Sequence, residues 1–271
     1  MGLNFQLLGP FEIVDNVRPI SLTAHKPRAL LAMLLLNSGK LVLWHRMLEE
    51  LWDAAQPASA MSNLRTYATE LRRIVFAGGA QLVSDPDGLR LLTDRDQVDV
   101  EIFGDLCWRA KQSQVDGDLC SAERAYELAL GLWRGPALTG LCRGPILAAA
   151  AAALDERRLG VLEDWFDVRL DLTTTNQCSA SALTEDLRRH LAEHPIRERP
   201  HRQLVVTLYR LGDIAGALHA CSGAREVLQR SLGLDPDGRI DLLHTAILRR
   251  DTDLLRPDVQ NRVTGSARGT V

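Results

Sequence analysis

The chain has 271 residues, of which 46% are hydrophobic and 25% are charged, and its formal net charge is −3. This length predicts roughly two domains, with ample apolar material for their cores. A slightly negative charge excludes a protein that coats nucleic acid through overall positive charge, so any contact with DNA has to rest on a local basic surface.

No segment of the sequence predicts export or a membrane span. The N-terminus lacks a cationic stretch followed by an apolar core, and the small apolar run from Ile146 to Leu154 is too short to cross a bilayer. We therefore expect a cytoplasmic protein with no membrane contact. Its five cysteines are widely spaced and form no CxxC pair, which favours reduced thiols over a disulfide framework or a zinc site.

The first part of the chain predicts short strands followed by helices. Gly-Pro and Asp-Asn turns separate three strand-like runs, at 4–8, 11–14 and 19–22. A strongly apolar helix follows, with Pro27 in its first turn and Gly39 just past its end. A second helix begins near Leu43 and ends before Pro57.

The third helix, 62–76, has one apolar and one polar face at about 100° per residue. The apolar face carries Leu64, Tyr67, Ala68, Leu71, Ile74 and Val75, and the polar face carries Ser62, Arg65, Thr66, Thr69, Arg72 and Arg73. Arginine binds phosphate or donates two hydrogen bonds to the edge of guanine. Threonine hydrogen-bonds a phosphate or a base, and its methyl group can contact the methyl of thymine. The pattern suits a helix that reads the major groove, although a solvated surface helix carries the same residue types.

A β-hairpin is predicted directly after this helix, which ends at Gly78-Gly79. Strand-like runs at 81–83 and 89–92 flank the turn-forming segment 85–88, and a hairpin in this position is typical of a wing. Arg90 is its only basic residue and the turn carries two aspartates. We therefore expect shallow phosphate contact by the wing rather than insertion into the minor groove.

The start of the second helix is a further candidate for DNA contact. Trp44, His45 and Arg46 open this helix, where backbone N–H groups can meet a phosphate. Trp44 is equally well explained as a packing residue.

The second half of the chain predicts only helices and contains an internal repeat. The pattern Gly-Asp-x3-Ala-x3-Tyr-x2-Ala at 117–129 recurs at 212–224, with cysteine in place of tyrosine. Each copy resembles the turn and second helix of a tetratricopeptide repeat, whose small residues let paired helices approach closely. Such stacks commonly bind proteins in a concave face, and a passive packing module is an equally good interpretation.

Longer motifs in both halves carry a family resemblance. The element order in 3–92 resembles the OmpR-type winged helix, while VDVEIF, LWRGPAL, HPIRERPH and LYRLG resemble the bacterial transcriptional activator domain, at 98–103, 132–138, 194–201 and 208–212. The combination is similar to the Streptomyces antibiotic regulatory proteins, the SARP family. It implies a mainly α fold with small β elements: an OmpR-like winged helix-turn-helix in 1–96 and an all-α tetratricopeptide-like domain in 97–252. The remaining residues, 253–271, lack apolar periodicity, and we expect them to form a flexible tail.

The resemblance also implies a function. It predicts an activator of an antibiotic or other secondary-metabolite gene cluster, which binds direct repeats in double-stranded DNA beside a promoter, as a homodimer on DNA. It further predicts recruitment of RNA polymerase holoenzyme, including its sigma subunit. The candidate DNA contacts are Ser62, Arg65, Thr66, Thr69, Arg72, Arg73, Arg90, Trp44 and Arg46.

Enzyme motifs are absent from the sequence, which contains no phosphate-binding loop, HExxH helix or GxSxG elbow. His190 and His194 are spaced to chelate a metal, but Pro195 follows at once and no third ligand is evident, which favours a solvated helix end. We therefore expect no enzyme, no cofactor and no metal. The alternatives to an activator are a tetratricopeptide-like protein-interaction scaffold and a repressor of the same architecture.

Overall fold

The computed structural model describes residues 3–15, 18–52, 56–173, 177–233 and 238–252. The chain divides into two compact units: unit 1 comprises Met1–Arg109 and Glu127–Leu159, and unit 2 comprises Ala110–Tyr126 and Gly160–Val271. The domain limits expected at 1–96 and 97–252 stay a prediction, and the tail expected at 253–271 lies outside the described residues.

Unit 1 begins with a small antiparallel sheet in the order β1-β2-β3, formed by Leu3–Gln6, Glu12–Asp15 and Arg18–Pro19. Phe5 lies opposite Ile13, and both side chains are buried. The third strand was expected at 19–22 but ends at Pro19, and the Ile20 N–H just beyond it still donates to the Ile13 carbonyl of β2 at 2.8 Å.

The next elements are α1 at His25–Leu36, β4 at Leu41–Leu43, α2 at Trp44–Trp52, α3 at Ala60–Ala77, β5 at Gln81–Asp85 and β6 at Gly88–Leu92. The last three strands form a second sheet in the order β4-β6-β5. Strand β4 was not predicted, because three residues are too few to show an alternating pattern. It approaches β6 so closely that a Cβ on Gly88 would lie 2.0 Å from the Val42 carbonyl oxygen.

The LWRGPAL motif follows α4 (Asp99–Val115) and α5 (Leu119–Gly131) and packs on the first sheet within unit 1. The Arg134 guanidinium donates to Glu12 Oε2 at 2.8 Å and to the Pro10 carbonyl at 2.9 Å. The backbone N–H groups of Arg134 and Leu138 donate to the carbonyls of Leu8 and Leu7, both at 2.9 Å. The motif therefore anchors the β1–β2 turn.

Two buried carboxylates in unit 1 accept hydrogen bonds from backbone N–H groups. Asp99 accepts from Leu7 and Leu8 at 2.8–2.9 Å, and burial raises the pKa of this carboxyl despite those bonds. Glu50, 5% exposed, accepts from three N–H groups at the start of α6 (Pro145–Leu172), those of Gly144, Ile146 and Leu147, at 2.6–3.0 Å. Glu50 thus caps α6 from a distant part of the sequence.

Unit 2 contains α7 (Gln177–Glu193), α8 (Glu198–Arg210), α9 (Ile214–Leu232) and α10 (Arg239–Leu248). The repeat forms as expected. Gly117 and Gly212 both adopt a φ of +80°, and the aspartate after each caps the following helix. All the spaced positions of the pattern are buried, namely Ala122, Tyr126, Ala129, Ala217, Cys221 and Ala224.

The HPIRERPH motif forms ion pairs with α6 inside unit 2. Arg197 pairs with Glu163, and Arg199 pairs with Asp167 and with Asp164, the latter at 2.7 Å. Although burial opposes ionisation of Glu163, the His190 ring nitrogen 3.9 Å away, the hydrogen bond from Arg197 and the charges of Arg197 and Arg199 hold the pKa of its carboxyl below the ordinary value of 4.5.

The expectation of a solvated helix end at His190 was wrong. Only 5% of His190 is exposed, and its ring meets Phe166 edge-on with 5.7 Å between centroids, because this side of α7 faces the core of unit 2. Across the described ranges, no group of three or more His, Cys, Asp or Glu side chains is arranged to hold a metal ion. The described helices include none with the length and apolar character needed to cross a membrane.

Replacing Glu50 should destabilise unit 1. In Glu50→Ala, three N–H groups at the start of α6 lose their acceptor, and we expect the free energy of unfolding to fall by about 3 kcal/mol. Chemical denaturation measures this loss. The exposed neighbour Glu49 provides the control, since Glu49→Ala should change stability by less than about 0.5 kcal/mol; equal effects of the two substitutions would contradict the capping role.

The Glu163 network should make stability depend on acid pH. Because the pKa of Glu163 is lower in the folded chain than in the unfolded chain, its ionised form stabilises the fold above about pH 4.5 and this contribution disappears as the pH falls below that value. The gap in unfolding free energy between wild type and Glu163→Gln should therefore close on acidification. Glu193→Gln, at an exposed position, should show a gap near zero throughout; a Glu163 gap that widens in acid would contradict this assignment.

Candidate nucleic-acid interface

Helix α3 presents a polar ridge because its opposite face is locked in the core. Leu64, Leu71 and Val75 have no solvent exposure. On the other face, five of the six predicted polar residues are exposed: Ser62, Arg65, Thr66, Thr69 and Arg73. We call these five residues the α3 ridge. Its exposure agrees with the periodicity of the sequence, while its contact with DNA stays a prediction.

The hydroxyl groups of the two threonines in the ridge donate hydrogen bonds to carbonyls of the same helix. Thr66 Oγ1 donates to the Ser62 carbonyl at 3.1 Å, and Thr69 Oγ1 donates to the Arg65 carbonyl at 3.0 Å. Each hydroxyl oxygen keeps its capacity to accept a hydrogen bond. The threonines can therefore accept from an exocyclic amino group of adenine or cytosine, and their methyl groups can meet thymine.

Arg72 differs from the other arginines of α3, because it is half-buried and bonded to the hairpin. Its Nε donates to the Leu82 carbonyl at 3.1 Å, and its Nη2 donates to Ser84 Oγ. The sequence placed Arg72 on the polar face with Arg65 and Arg73, and the structure shows it turned toward β5.

Trp44 contacts the hairpin turn, and Arg90 lies within the hairpin itself. Trp44 is half-buried, and its indole Nε1 donates to the Pro86 carbonyl at 3.0 Å while its backbone N–H donates to Asp87 at 2.9 Å. The packing alternative for Trp44 therefore accounts for its position. Arg90 lies within β6 opposite Leu41, away from the turn, and donates to the Gly39 carbonyl at 3.3 Å.

The remaining candidates lie at the surface. Arg46 and His45 are both exposed in the first turn of α2. The hairpin turn carries Asp85 and Asp87, and the Asp85 carboxylate accepts from the Asp87 N–H at 3.3 Å. A turn with two acidic residues is a poor fit to the negative potential of a minor groove.

One residue of the ridge region was missed by the sequence analysis. Phe76 is 77% exposed at the end of α3 and follows Arg72 and Arg73 at helical spacing. Its offset of three and four residues from these arginines was the available signal, because it places an aromatic ring on the polar face.

The bacterial transcriptional activator domain matches residues 98–248 of the chain. The chain is similar to the regulatory protein DnrI of Streptomyces peucetius, with 34% identity over 94% of this chain and 95% of that protein. It is 36% identical to the regulatory protein AfsR of Streptomyces griseus over 94% of its own length, which is 26% of AfsR. The chain therefore corresponds to about a quarter of that relative.

A solved structure confirms the fold. The chain is similar to Mycobacterium tuberculosis EmbR, solved in complex with a low affinity phosphopeptide, with a TM-score of 0.87 and 27% identity over 96% of this chain and 68% of that one. That neighbour combines a winged-helix N-terminus with a helical domain, and the predicted fold class is confirmed. Both relatives are named as regulatory proteins, and together with the match to a transcriptional activator domain they agree with the expectation of a regulator and not an enzyme. With the activator domain, the matching relatives and the winged-helix architecture in agreement, the chain belongs to the SARP family of transcriptional regulators.

Proposed function

We propose that this regulator is a sequence-specific DNA-binding activator of a secondary-metabolite gene cluster, with antibiotic biosynthesis as the class of pathway. The observation that carries the proposal is the α3 ridge, an exposed row of arginine and threonine backed by fully buried leucines and followed by a hairpin. Because the chain is slightly negative overall, this local ridge supplies the positive charge that DNA contact requires.

The length of the ridge suggests which of its residues contact base edges and which contact phosphates. Between Ser62 and Arg73 the helix rises about 16 Å, which exceeds the roughly 12 Å width of the major groove. We therefore assign the middle of the ridge, Arg65, Thr66 and Thr69, to base edges. Its ends, Ser62 and Arg73, are assigned to the phosphate backbone, where they would set the register without reading sequence.

Contacts beside the ridge fit a shallow interaction with the backbone. Arg46, at the exposed start of α2, is placed to meet a phosphate, whereas the Trp44 N–H at that helix end already donates to the Asp87 carbonyl. Arg90 lies in a strand and not at the hairpin tip, and the tip carries two aspartates. The wing is thus proposed to rest on the backbone instead of entering the minor groove.

Activation needs a second partner besides DNA. Membership of the family supports binding to direct repeats beside a promoter, with two protomers paired on DNA, and recruitment of RNA polymerase holoenzyme through a surface that meets the sigma subunit. Bacterial promoters lie in the cytoplasm, which is where the proposal places the protein.

Removing both arginines of the ridge should weaken DNA binding and its dependence on salt. Each phosphate contact contributes about −0.9 to the slope of log affinity against log salt, so Arg65→Ala/Arg73→Ala should flatten the slope by about 1 through the loss of Arg73, while the loss of Arg65 from the base edges lowers affinity further. The measurement is titration of a duplex taken from genomic fragments that the wild-type protein enriches. Arg230→Ala, which removes an exposed arginine of α9, should leave affinity and slope unchanged.

The outcome of this titration separates the activator from the scaffold. A double variant that keeps wild-type affinity and slope would contradict DNA binding by the ridge. Failure of the wild-type protein to enrich any genomic fragment would favour the tetratricopeptide-like scaffold.

Recruitment of polymerase has its own test. Footprinting of the enriched promoter with RNA polymerase holoenzyme should show greater polymerase occupancy when the wild-type protein is added, because contact with both DNA and polymerase adds to the stability of the promoter complex. The Arg65→Ala/Arg73→Ala variant should abolish the gain. Unchanged occupancy would contradict recruitment, and reduced occupancy together with lower transcript levels would establish the repressor alternative.

A further inference from the structure

We propose that Arg72 is a positioning residue that fixes the hairpin against the recognition helix, and that it neither reads bases nor neutralises phosphate. This inference rests on the proposed DNA binding, and it assigns to Arg72 a role different from that of Arg65 and Arg73.

The geometry of the guanidinium supports this assignment. Two of its nitrogens donate to the hairpin, one to the Leu82 carbonyl at 3.1 Å and the other to the Ser84 hydroxyl. Both acceptors lie in β5, which is an edge strand of its sheet. Edge strands present backbone groups that find no partner within the sheet, and Arg72 satisfies one of these.

The chemistry of arginine matters at this position. A planar guanidinium donates in two fixed directions at once and so can bridge two acceptors two residues apart in β5. A lysine at the same place would keep the charge but concentrate its donors on one nitrogen. The bridge is therefore expected to require arginine, whereas a simple phosphate contact would accept lysine as well.

Trp44 and Arg90 also hold the hairpin, but at other points than Arg72 does. Trp44 holds the turn through Pro86 and Asp87, and Arg90 in β6 donates to Gly39. Of these side chains, Arg72 is the one that projects from α3. It therefore sets the spacing between the ridge and the wing, which must match the spacing of their two contact regions on the duplex.

The free protein provides the first test, in the full chain and without DNA. Amide hydrogen exchange in 81–85 should rise in Arg72→Ala, in Arg72→Lys and in Ser84→Ala, because each removes part of the bridge. Arg73→Ala is the matched control, since it removes the same charge from the adjacent exposed position and should leave exchange in β5 unchanged. Ser84→Ala alters no charge and removes only an acceptor, so it keeps the test decisive where Arg72→Ala fails to fold.

DNA binding provides the second test, with a duplex taken from the genomic fragments that the wild-type protein enriches. Arg72→Ala and Arg72→Lys should weaken binding to a similar extent, roughly tenfold, as expected for one lost positioning contact. Hydroxyl-radical protection at the wing should disappear while protection of guanine N7 in the major groove persists. A purely structural loss would reduce both kinds of protection together.

The opposite results overturn the assignment. Near wild-type affinity for Arg72→Lys, with unchanged exchange in β5 for all three bridge variants, would make Arg72 a phosphate contact. Loss of guanine protection with retained wing protection would make it a base reader. If the wild-type chain enriches no genomic DNA, the proposed function fails, and the exchange measurement on the free protein alone then decides whether Arg72 holds the hairpin.

Discussion

The burial of one face of α3 is the constraint on which the candidate interface depends. Leu64, Leu71 and Val75 are fully enclosed, so the rotation of this helix about its axis is fixed by close packing. Rolling the helix by one residue, about 100°, would bury charged guanidinium groups and expose leucine, at a cost of several kcal/mol. The direction in which Arg65 and Arg73 point is thus set from the inside of unit 1.

A second constraint comes from buried carboxylates that accept hydrogen bonds from backbone N–H groups. Asp99 and Glu50 are buried, and each carboxylate accepts hydrogen bonds from backbone N–H groups at a turn or at a helix start. Without these carboxylates the N–H groups would lack an acceptor. These bonds connect residues more than 90 positions apart in the sequence. Unit 1 therefore includes segments from both sides of residue 96, since the winged-helix elements and the start of α6 share polar contacts as well as apolar ones.

The sequence predicted what repeats locally and missed what depends on distant partners. The period of α3, its end at Gly78-Gly79, the hairpin and the two Gly-Asp helix starts all follow from residues that are neighbours in the chain. By contrast, β4 became a strand only because β6 lies beside it, and His190 was buried by a neighbouring helix. The bridge from Arg72 to β5 has the same cause, because periodicity gives the face of a helix and not the acceptor that captures a long side chain.

The motifs that identify the family and the residues proposed to read DNA are separate sets with separate physical tasks. Arg134 of LWRGPAL and Arg197 of HPIRERPH form ion pairs within unit 1 and unit 2, so these motifs stabilise the architecture. The α3 ridge lies outside the activator-domain match at 98–248, and its five residues are exposed while the opposite face of α3 packs in the core. Under the proposed function, a change at Arg65 alters the DNA sequence that is chosen with little effect on folding, since exposed positions on a helix tolerate substitution. On this proposal, one scaffold can serve regulators of different promoters, because the choice of operator is confined to a few exposed side chains whose orientation is fixed by the packing of the opposite helix face.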